Sequence, residues 1–327
     1  MAMKTLTRAL AGIATVLLCA AVPGARGADA YPAKPVRIVV PTAPGGGLDM
    51  LARLVAQNLS TSLGQQFVID NRPGAGATIG TALVAKSAPD GYTLLMVPSS
   101  ISISASLYKN LPYDSMTDLA AVTLVASTPS VLVLHPSVPI GSVRALLKLA
   151  KSRPGQLAYA SAGSGTHSHL GMEVLKQLAG VDLVHVPYKG IGPALTDVLA
   201  GQVSLMITGL PPALTQIRAG KLKLIAVADA KRSSLLPAAP TIAESGFPGY
   251  AVENWFGLFG PAGISSTIIA RLNAEVVRAL RSAQVRDNLV MLGYEPIGST
   301  PAELTVQLKS EIPKWARVIR EIGVGAE

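Results

Sequence analysis

Two glycine-rich turns carry the residue types of an anion-binding site. They are the segments 41–49, PTAPGGGLD, and 162–166, AGSGT, and each follows an apolar strand pattern and precedes a helical one. Glycine lets backbone N–H groups turn inward where a Cβ would obstruct them, and the following helix adds the positive end of its dipole. Two such turns could grip one ligand from opposite sides of a cleft. Taken alone, each turn is equally consistent with a tight strand-to-helix connection that binds nothing.

The same residues match other chemistries poorly. No Lys follows the glycines of the first turn, as a nucleotide P-loop requires, and Ser164 lies in Gly-Ser-Gly rather than in a nucleophile elbow. His167 and His169 are two positions apart on a predicted helix and therefore point to different faces, which argues against a metal pair. The segment 74–80, GAGATIG, resembles a dinucleotide fingerprint, although close helix packing explains it more simply. We therefore expect no catalytic residue, no metal and no cofactor.

The N-terminus has the layout of a secretory signal. Two cations precede the uncharged apolar run 9–22, and Ala28-Asp29-Ala30 offers a cleavage site. The run is too short to span a bilayer comfortably. This pattern predicts a signal peptide over residues 1–30, cleavage near Ala28 to Tyr31 and a periplasmic location, with a retained anchor helix as the alternative.

Composition narrows the functional classes further. The single cysteine, Cys19, lies inside the predicted signal peptide, so the mature chain has no thiol for a disulfide or an iron–sulfur site. The precursor carries a net charge of +9, and its cations are scattered rather than clustered. This distribution gives no support to nucleic-acid binding and only a modest preference for anionic partners.

Strand and helix patterns alternate along the mature chain, which predicts an α/β architecture with mainly parallel sheets. Two similar blocks flank the apolar stretch 122–134, which is interpreted as two buried strands. The predicted strands are 36–40, 67–70, 92–97, 157–161, 183–186, 203–208 and 222–228. The predicted helices are 48–63, 78–86, 166–178, 192–200, 212–219, 265–280 and 302–322.

Several motifs, in order and at their spacing, resemble the Bug receptors, the substrate-binding proteins of tripartite tricarboxylate transporters. The resemblance covers essentially the whole mature chain. Its motifs are YPAKPVRIVVP (31–41), GGGLD (45–49) with Arg53, DNRPGAG (70–76), LPYD (111–114), YASAGSGT (159–166) with His169 and Leu170, VPYKG (186–190), APT (239–241) and WFG (255–257).

The resemblance implies a type II periplasmic-binding-protein fold, in which two lobes with parallel-rich sheets surround a central cleft. Lobe one would comprise 31–127 plus 240–327, and lobe two 128–239 with a hinge crossing at each end. The implied function is a monomeric, non-enzymatic receptor that captures a small carboxylated solute and delivers it to membrane transporter subunits. A receptor that presents its closed form to a membrane sensor protein is the alternative, and an enzyme is the remote one.

In the family, the two turns pinch a ligand carboxylate, largely through backbone groups and water. Carried to this chain, the resemblance implies sixteen ligand-binding positions. They are Thr42, Ala43, Pro44, Gly45, Gly46, Gly47, Leu48, Asp49, Ser99, Ser164, Gly165, Thr166, His169, Tyr188, Lys189 and Thr208.

Four positions depart from the family pattern. Leu48 replaces a small hydroxylated residue, and Ile101 and Ser104 stand where His and Asn are frequent. Thr208 replaces a frequent Asp, which removes a possible partner for a ligand ammonium group. We therefore expect a ligand with a carboxylate but no amino group, although these side chains could equally pack the cleft wall.

Overall fold

A six-stranded sheet forms the frame of lobe one in this computed structural model, which describes residues 31–323. The strand order is β11-β4-β10-β3-β1-β2. Strands β1, β2 and β3 are parallel, whereas β10 runs antiparallel to both β3 and β4. The strands, numbered along the chain, are β1 Val36–Val40, β2 Phe67–Asn71, β3 Thr93–Pro98, β4 Leu119–Thr128, β10 Asn254–Pro261 and β11 Glu295–Pro296.

A five-stranded sheet frames lobe two, with the order β7-β6-β8-β5-β9. Here β6 is parallel to β7 and β8, and β5 is antiparallel to β8 and β9. Both sheets are therefore mixed rather than mainly parallel. The strands are β5 Ser130–Leu134, β6 Ala158–Ser161, β7 Val184–Pro187, β8 Leu205–Gly209 and β9 Lys223–Val227.

Helices cover the faces of both sheets, and their apolar stripes explain why. In α1, the residues Leu51, Val55 and Leu59 recur at helical spacing and are all buried. The helix ends at Gly64, which adopts the left-handed conformation that favours glycine. The helices are α1 Gly47–Leu63, α2 Thr78–Ala85, α3 Ser100–Leu107, α4 Val143–Ser152, α5 His167–Ala179, α6 Ile191–Leu199, α7 Leu210–Arg218, α8 Ser266–Arg281, α9 Ala283–Met291 and α10 Pro301–Ile322.

The chain crosses between the lobes twice, and both crossings involve an antiparallel strand. A single residue, Pro129, joins β4 of lobe one to β5 of lobe two. The return runs through 252–254 into β10, because the segment before it packs on lobe two. Within that segment, Ile242 lies in the lobe-two core and the Tyr250 hydroxyl donates to the Gly171 carbonyl. Residues 240–252, which the sequence prediction placed in lobe one, therefore lie against lobe two.

One apolar core continues from lobe two into lobe one. Trp315 and Ile319 of α10 and Leu107 of α3 pack in the same cluster as Met172 and Leu175 of α5. The predicted signal peptide, residues 1–30, lies outside the described residues, as do 324–327. Within residues 31–323, no helix is both long and apolar enough to cross a membrane.

Candidate ligand-binding site

A cavity of about 290 Å³ lies between the two lobes, at the carboxyl ends of β1 and β6. Both glycine-rich turns line it, one from each lobe, as expected for ligand sites in open α/β sheets. Nine of the sixteen predicted positions are brought together on its wall. They are Thr42, Gly46, Gly47, Leu48, Ser164, Thr166, Tyr188, Lys189 and Thr208.

The lobe-one turn is held in shape by Asp49, which is 4% exposed. Its carboxylate accepts the Gly45 N–H at 3.1 Å, an Asn71 N–H at 3.0 Å and an Arg53 N–H at 3.1 Å. These hydrogen bonds hold the pKa of Asp49 below its usual range although burial opposes them. Asp49 thus stabilises the turn, and its negative charge is compensated by Arg53 and the two other hydrogen-bond donors.

The N-terminus of α1 opens on the cavity without a cap. Gly46 is its N-cap and supplies no side chain, and none of the N–H groups of Gly46, Gly47 and Leu48 donates to another described residue. The first N–H groups of a helix have no partner within the helix, and they carry the positive end of its dipole. This end of lobe one can therefore hold an anion.

The lobe-two turn presents a similar end of α5. The N-cap Thr166 makes no capping bond, because its hydroxyl donates to the Gly163 carbonyl at 2.7 Å. The Gly165 N–H donates to His169 Nδ1 at 3.2 Å. The Ser164 and His167 N–H groups, both beside the cavity, have no acceptor among the described residues. Two uncapped helix ends from different lobes therefore face one space.

Four lining side chains bury polar atoms that no described residue satisfies. They are Thr42 Oγ1, Ser100 Oγ, Asn254 Oδ1 and both ring nitrogens of His167. Leaving a buried polar atom unpaired costs about 1–3 kcal/mol, so such atoms usually have a partner. Their convergence on one cavity indicates that a polar occupant completes them. Burial lowers the pKa of His167 to about 4, so its ring is neutral near neutral pH.

The charges on the cavity wall are few. Lys189, which is exposed, is the only charged side chain on the described lining, and no carboxylate joins it there. The hydroxyl of Tyr188 donates to Asp197, and burial together with this carboxylate raises the pKa of Tyr188 to about 12. An anion therefore meets no like charge in the cavity, and a cation finds no counter-charge.

Direct hydrogen bonds join the lobes at the edges of the cavity, so this conformation is closed. The Ala43 N–H donates to the Lys189 carbonyl at 3.1 Å, and the Tyr108 hydroxyl donates to the Ser164 carbonyl at 3.2 Å. A Cβ added at Gly192 would lie 2.4 Å from the Pro44 carbonyl oxygen. The lobes approach so closely here that only a hydrogen fits at Gly192.

Seven predicted positions lie behind the cavity wall rather than on it. Among them, Ser99 donates to the Glu253 carbonyl at 3.3 Å, and His169 supports the second turn. Ala43 contributes its N–H to the contact between the lobes. The seven are Ala43, Pro44, Gly45, Asp49, Ser99, Gly165 and His169.

Several lining residues were not predicted from the sequence, although the segment 74–77 among them has a recognisable sequence pattern. Residues 74–77 all adopt positive φ, including Ala75 at 44° and Ala77 at 82°, which is uncommon for residues with a Cβ. Strained backbone of this kind concentrates at functional sites. The glycine-rich run 74–80 was visible in the sequence, but close helix packing was the simpler interpretation. The other missed lining residues include Ser100, Tyr108, Pro212, Asn254 and Phe256.

Comparison with known proteins identifies the family. Residues 51–324 match the family described as "Tripartite tricarboxylate transporter family receptor". The chain belongs to this family. Its relative BugT of Bordetella pertussis is 40% identical over 320 residues, which cover 97% of this chain and 98% of BugT. The predicted resemblance to Bug receptors is thereby confirmed.

Solved structures of similar proteins share the architecture. R. palustris Rpa4515 with adipate has a TM-score of 0.87 and 38% identity, and the match covers 90% of this chain and 99% of that one. The periplasmic binding protein BugD has a TM-score of 0.88 and 35% identity, with 91% and 100% covered. The two-lobed α/β periplasmic-binding-protein fold predicted from the sequence is confirmed, and the chain is a solute-binding protein of a transport family.

Proposed function

We propose that this protein is a periplasmic receptor that closes its two lobes around a small carboxylated solute lacking an amino group and delivers it to a tripartite tricarboxylate-type transporter. The observation that carries the proposal is the pair of uncapped helix ends, α1 and α5, which open on one closed cavity. Backbone N–H groups and helix dipoles favour a negative charge at that position.

The rest of the wall supports a ligand without a cation. An ammonium group would need an acidic partner inside the cavity, because an unpaired buried charge is costly. The described lining offers none, and Thr208 occupies the position where an Asp is frequent in the family. The neutral groups Ser100, His167 and Asn254 would instead hydrogen-bond the ligand's uncharged polar atoms or ordered water.

Hinge closure supplies the signal that a transporter reads. The lobes are joined by short crossings near Pro129 and 252–254 and by the apolar core that α10 and α3 share with α5, whereas the direct hydrogen bonds at the rim of the cavity are few. Because the ligand contacts both lobes only when they are closed, its binding shifts the population toward the closed form. Transporter subunits would then distinguish loaded from empty receptor by shape, with no chemical change in the solute.

Isothermal titration calorimetry of the mature protein tests the ligand class. The panel contains mono- and dicarboxylic acids of graded length, including adipate, with the matching neutral amide and the matching amino acid of each. We expect an acid to bind, its amide to fail and its amino analogue to bind more weakly. Binding of the amide as tightly as the acid, or a clear preference for the amino acid, would overturn the proposal.

Two further measurements distinguish a receptor from an enzyme. Native mass spectrometry of protein purified without denaturation should show a co-purifying acid, and its mass gives the chemical class. Prolonged incubation with the tightest-binding acid should return it unchanged by liquid chromatography with mass detection. Conversion of the acid into a product would show that the protein is an enzyme and would contradict the receptor function.

A further inference from the structure

The imidazole of His169 supports the lobe-two turn from behind the cavity. The residue is 6% exposed, and its Nδ1 accepts the Gly165 N–H at 3.2 Å. A ring nitrogen that accepts a hydrogen bond carries no proton, so the neutral ring has its hydrogen on Nε2. Gly165 itself has φ +77°, a left-handed conformation, and its N–H is oriented by this bond rather than by a helix or strand.

A second histidine fixes the orientation of the first. The rings of His169 and His185 stack with centroids 4.1 Å apart, and the ring of Tyr159 also stacks with that of His185 at 4.9 Å. His185 Nε2 lies 2.7 Å from Ser161 Oγ, and that oxygen accepts the Gly163 N–H at 3.1 Å. The stacked pair thus ties down both glycine N–H groups of the turn, Gly165 directly and Gly163 through Ser161.

The surroundings keep both rings neutral. Burial lowers the pKa of His169, and burial together with His169 lowers the pKa of His185 to about 4. Glu173 and Lys176 of α5 face the pair with opposite charges and are themselves joined at 2.7 Å. The other titratable groups nearby are Tyr159 from β6 and Tyr108 from lobe one, both with a raised pKa and therefore uncharged. Nδ1 of His169 is consequently available as an acceptor near neutral pH.

Fixing the Gly165 N–H determines which donors remain for a ligand. With Gly163 and Gly165 committed to the histidine pair, the Ser164 and His167 N–H groups are left beside the cavity with no acceptor within residues 31–323. Removal of the Nδ1 acceptor would leave the buried Gly165 N–H unpaired or would reorient its peptide. Either change would misplace the neighbouring Ser164 N–H.

We propose that His169 is a positioning residue for ligand binding: its Nδ1 holds the Gly165 N–H, and so holds the lobe-two turn with its Ser164 and His167 N–H groups set for the carboxylate. His169 does not touch the ligand. This inference rests on the proposed function of the turn as one side of the carboxylate site.

A pair of substitutions separates the acceptor from the bulk of the ring. His169→Asn preserves the acceptor, because its Oδ1 lies as far along the side chain as Nδ1. His169→Phe removes the acceptor but preserves an aromatic ring against His185. His135→Asn, at a half-buried histidine whose ring bonds only Ser137 among the described residues, is the matched control. Calorimetry uses adipate first, and the tightest-binding acid of the panel in its place if adipate does not bind.

We expect His169→Phe to weaken binding by about tenfold or more, and His169→Asn and His135→Asn to remain within about threefold of wild type. Wild-type affinity in His169→Phe would mean that the bulk of the ring is sufficient for binding. Equal losses in the two variants would mean that the acceptor has no effect of its own. Either result would overturn the proposal.

A measurement without ligand tests the role of His169 in the turn independently of binding. If no acid binds, the proposed function is wrong, but this measurement still tests the hydrogen bond to Gly165. Imidazole ¹⁵N spectra, assigned with the variants, should show His169 Nδ1 unprotonated near neutral pH. The Gly165 amide should exchange with solvent slowly in wild type and in His169→Asn, but quickly in His169→Phe. A protonated Nδ1, or a Gly165 amide indifferent to the Phe substitution, would overturn the positioning role.

Discussion

Replacing Gly192 by Ala should impair closure while sparing the fold of either lobe. Gly192 lies in the first turn of α6 and does not line the cavity. Its added Cβ would lie 2.4 Å from the carbonyl oxygen of Pro44, across the gap between the lobes. Side-chain Cβ atoms essentially never approach a neighbour within 3.0 Å, so this edge of the closed form must widen by at least about 0.6 Å.

The cost of that widening sets the expected loss of affinity. Forcing one methyl group into a packed contact costs about 1–3 kcal/mol, which corresponds to about 5- to 160-fold weaker binding. The adjacent bond from the Ala43 N–H to the Lys189 carbonyl, now 3.1 Å, would lengthen as well. In the open form the clash disappears, and Ala favours a helix over Gly by up to about 1 kcal/mol. The ligand-free variant should therefore unfold at the wild-type temperature or slightly above it.

Calorimetry with the tightest-binding acid and thermal unfolding without ligand together test this expectation. Gly141→Ala is the matched control, because its Cβ would have no neighbour within 4 Å, and it should bind within twofold of wild type. Small-angle scattering should show that wild type contracts on binding and that Gly192→Ala contracts less. If Gly192→Ala binds and contracts like wild type, the closed arrangement described above is not the ligand-bound one.

Three further substitutions probe separate parts of the account. Tyr108→Phe removes the hydroxyl bond to Ser164 between the lobes and should weaken binding about 2- to 13-fold with little change in ligand-free stability, as checked by calorimetry and thermal unfolding. Lys189→Ala removes an exposed charge and should cost about 2- to 5-fold in affinity; abolition of binding would mean that an ion pair, not the helix ends, holds the anion. Asp229→Asn should raise the melting temperature at pH 8 and hardly change it at pH 4. Burial, with Glu253 and Glu295 nearby, raises the pKa of Asp229 to about 7. The wild type therefore loses stability as the pH rises from about 4 to 7, because Asp229 must ionise in the folded protein, whereas the amide side chain of the Asp229→Asn variant has no charge to gain. An equal change in melting temperature at both pH values would contradict this.

Local patterns predicted most of the regular elements. The apolar run 36–40 is β1, and the helix predicted over 48–63 is α1, one residue longer. The helix predicted over 302–322 is α10 despite Pro313 in its interior. In these segments the side-chain periodicity and the tertiary environment agree, so the local signal is sufficient.

Helix α3 shows where tertiary context determines the structure. Its sequence, SISISASL, alternates polar and apolar residues, and no element was predicted there. The helix is buried against α10, where Ser102 donates to the buried Glu311 and Ser106 donates to the Ile312 carbonyl. These polar contacts join positions more than two hundred residues apart, and no local pattern contains them.

The site residues likewise divide into those that local sequence patterns predict and those that only the tertiary structure brings to the cavity. The two turns were predictable because glycine content and position after a strand are local properties. Asn254 and Ser100 were not, because they reach the cavity only through the return crossing into β10 and the start of α3. His169 was predicted to bind the ligand but lies behind the turn, since spacing on a helix does not tell which side of a loop a ring occupies.

The most direct test of the central claim is a crystal structure of the protein with its bound carboxylate. The account predicts one carboxylate between the two helix ends, with its oxygens about 2.7–3.2 Å from N–H groups among Gly46–Leu48 and from those of Ser164 or His167, directly or through one water. A carboxylate paired with Lys189 and contacting neither turn, or bound outside the cleft, would contradict it.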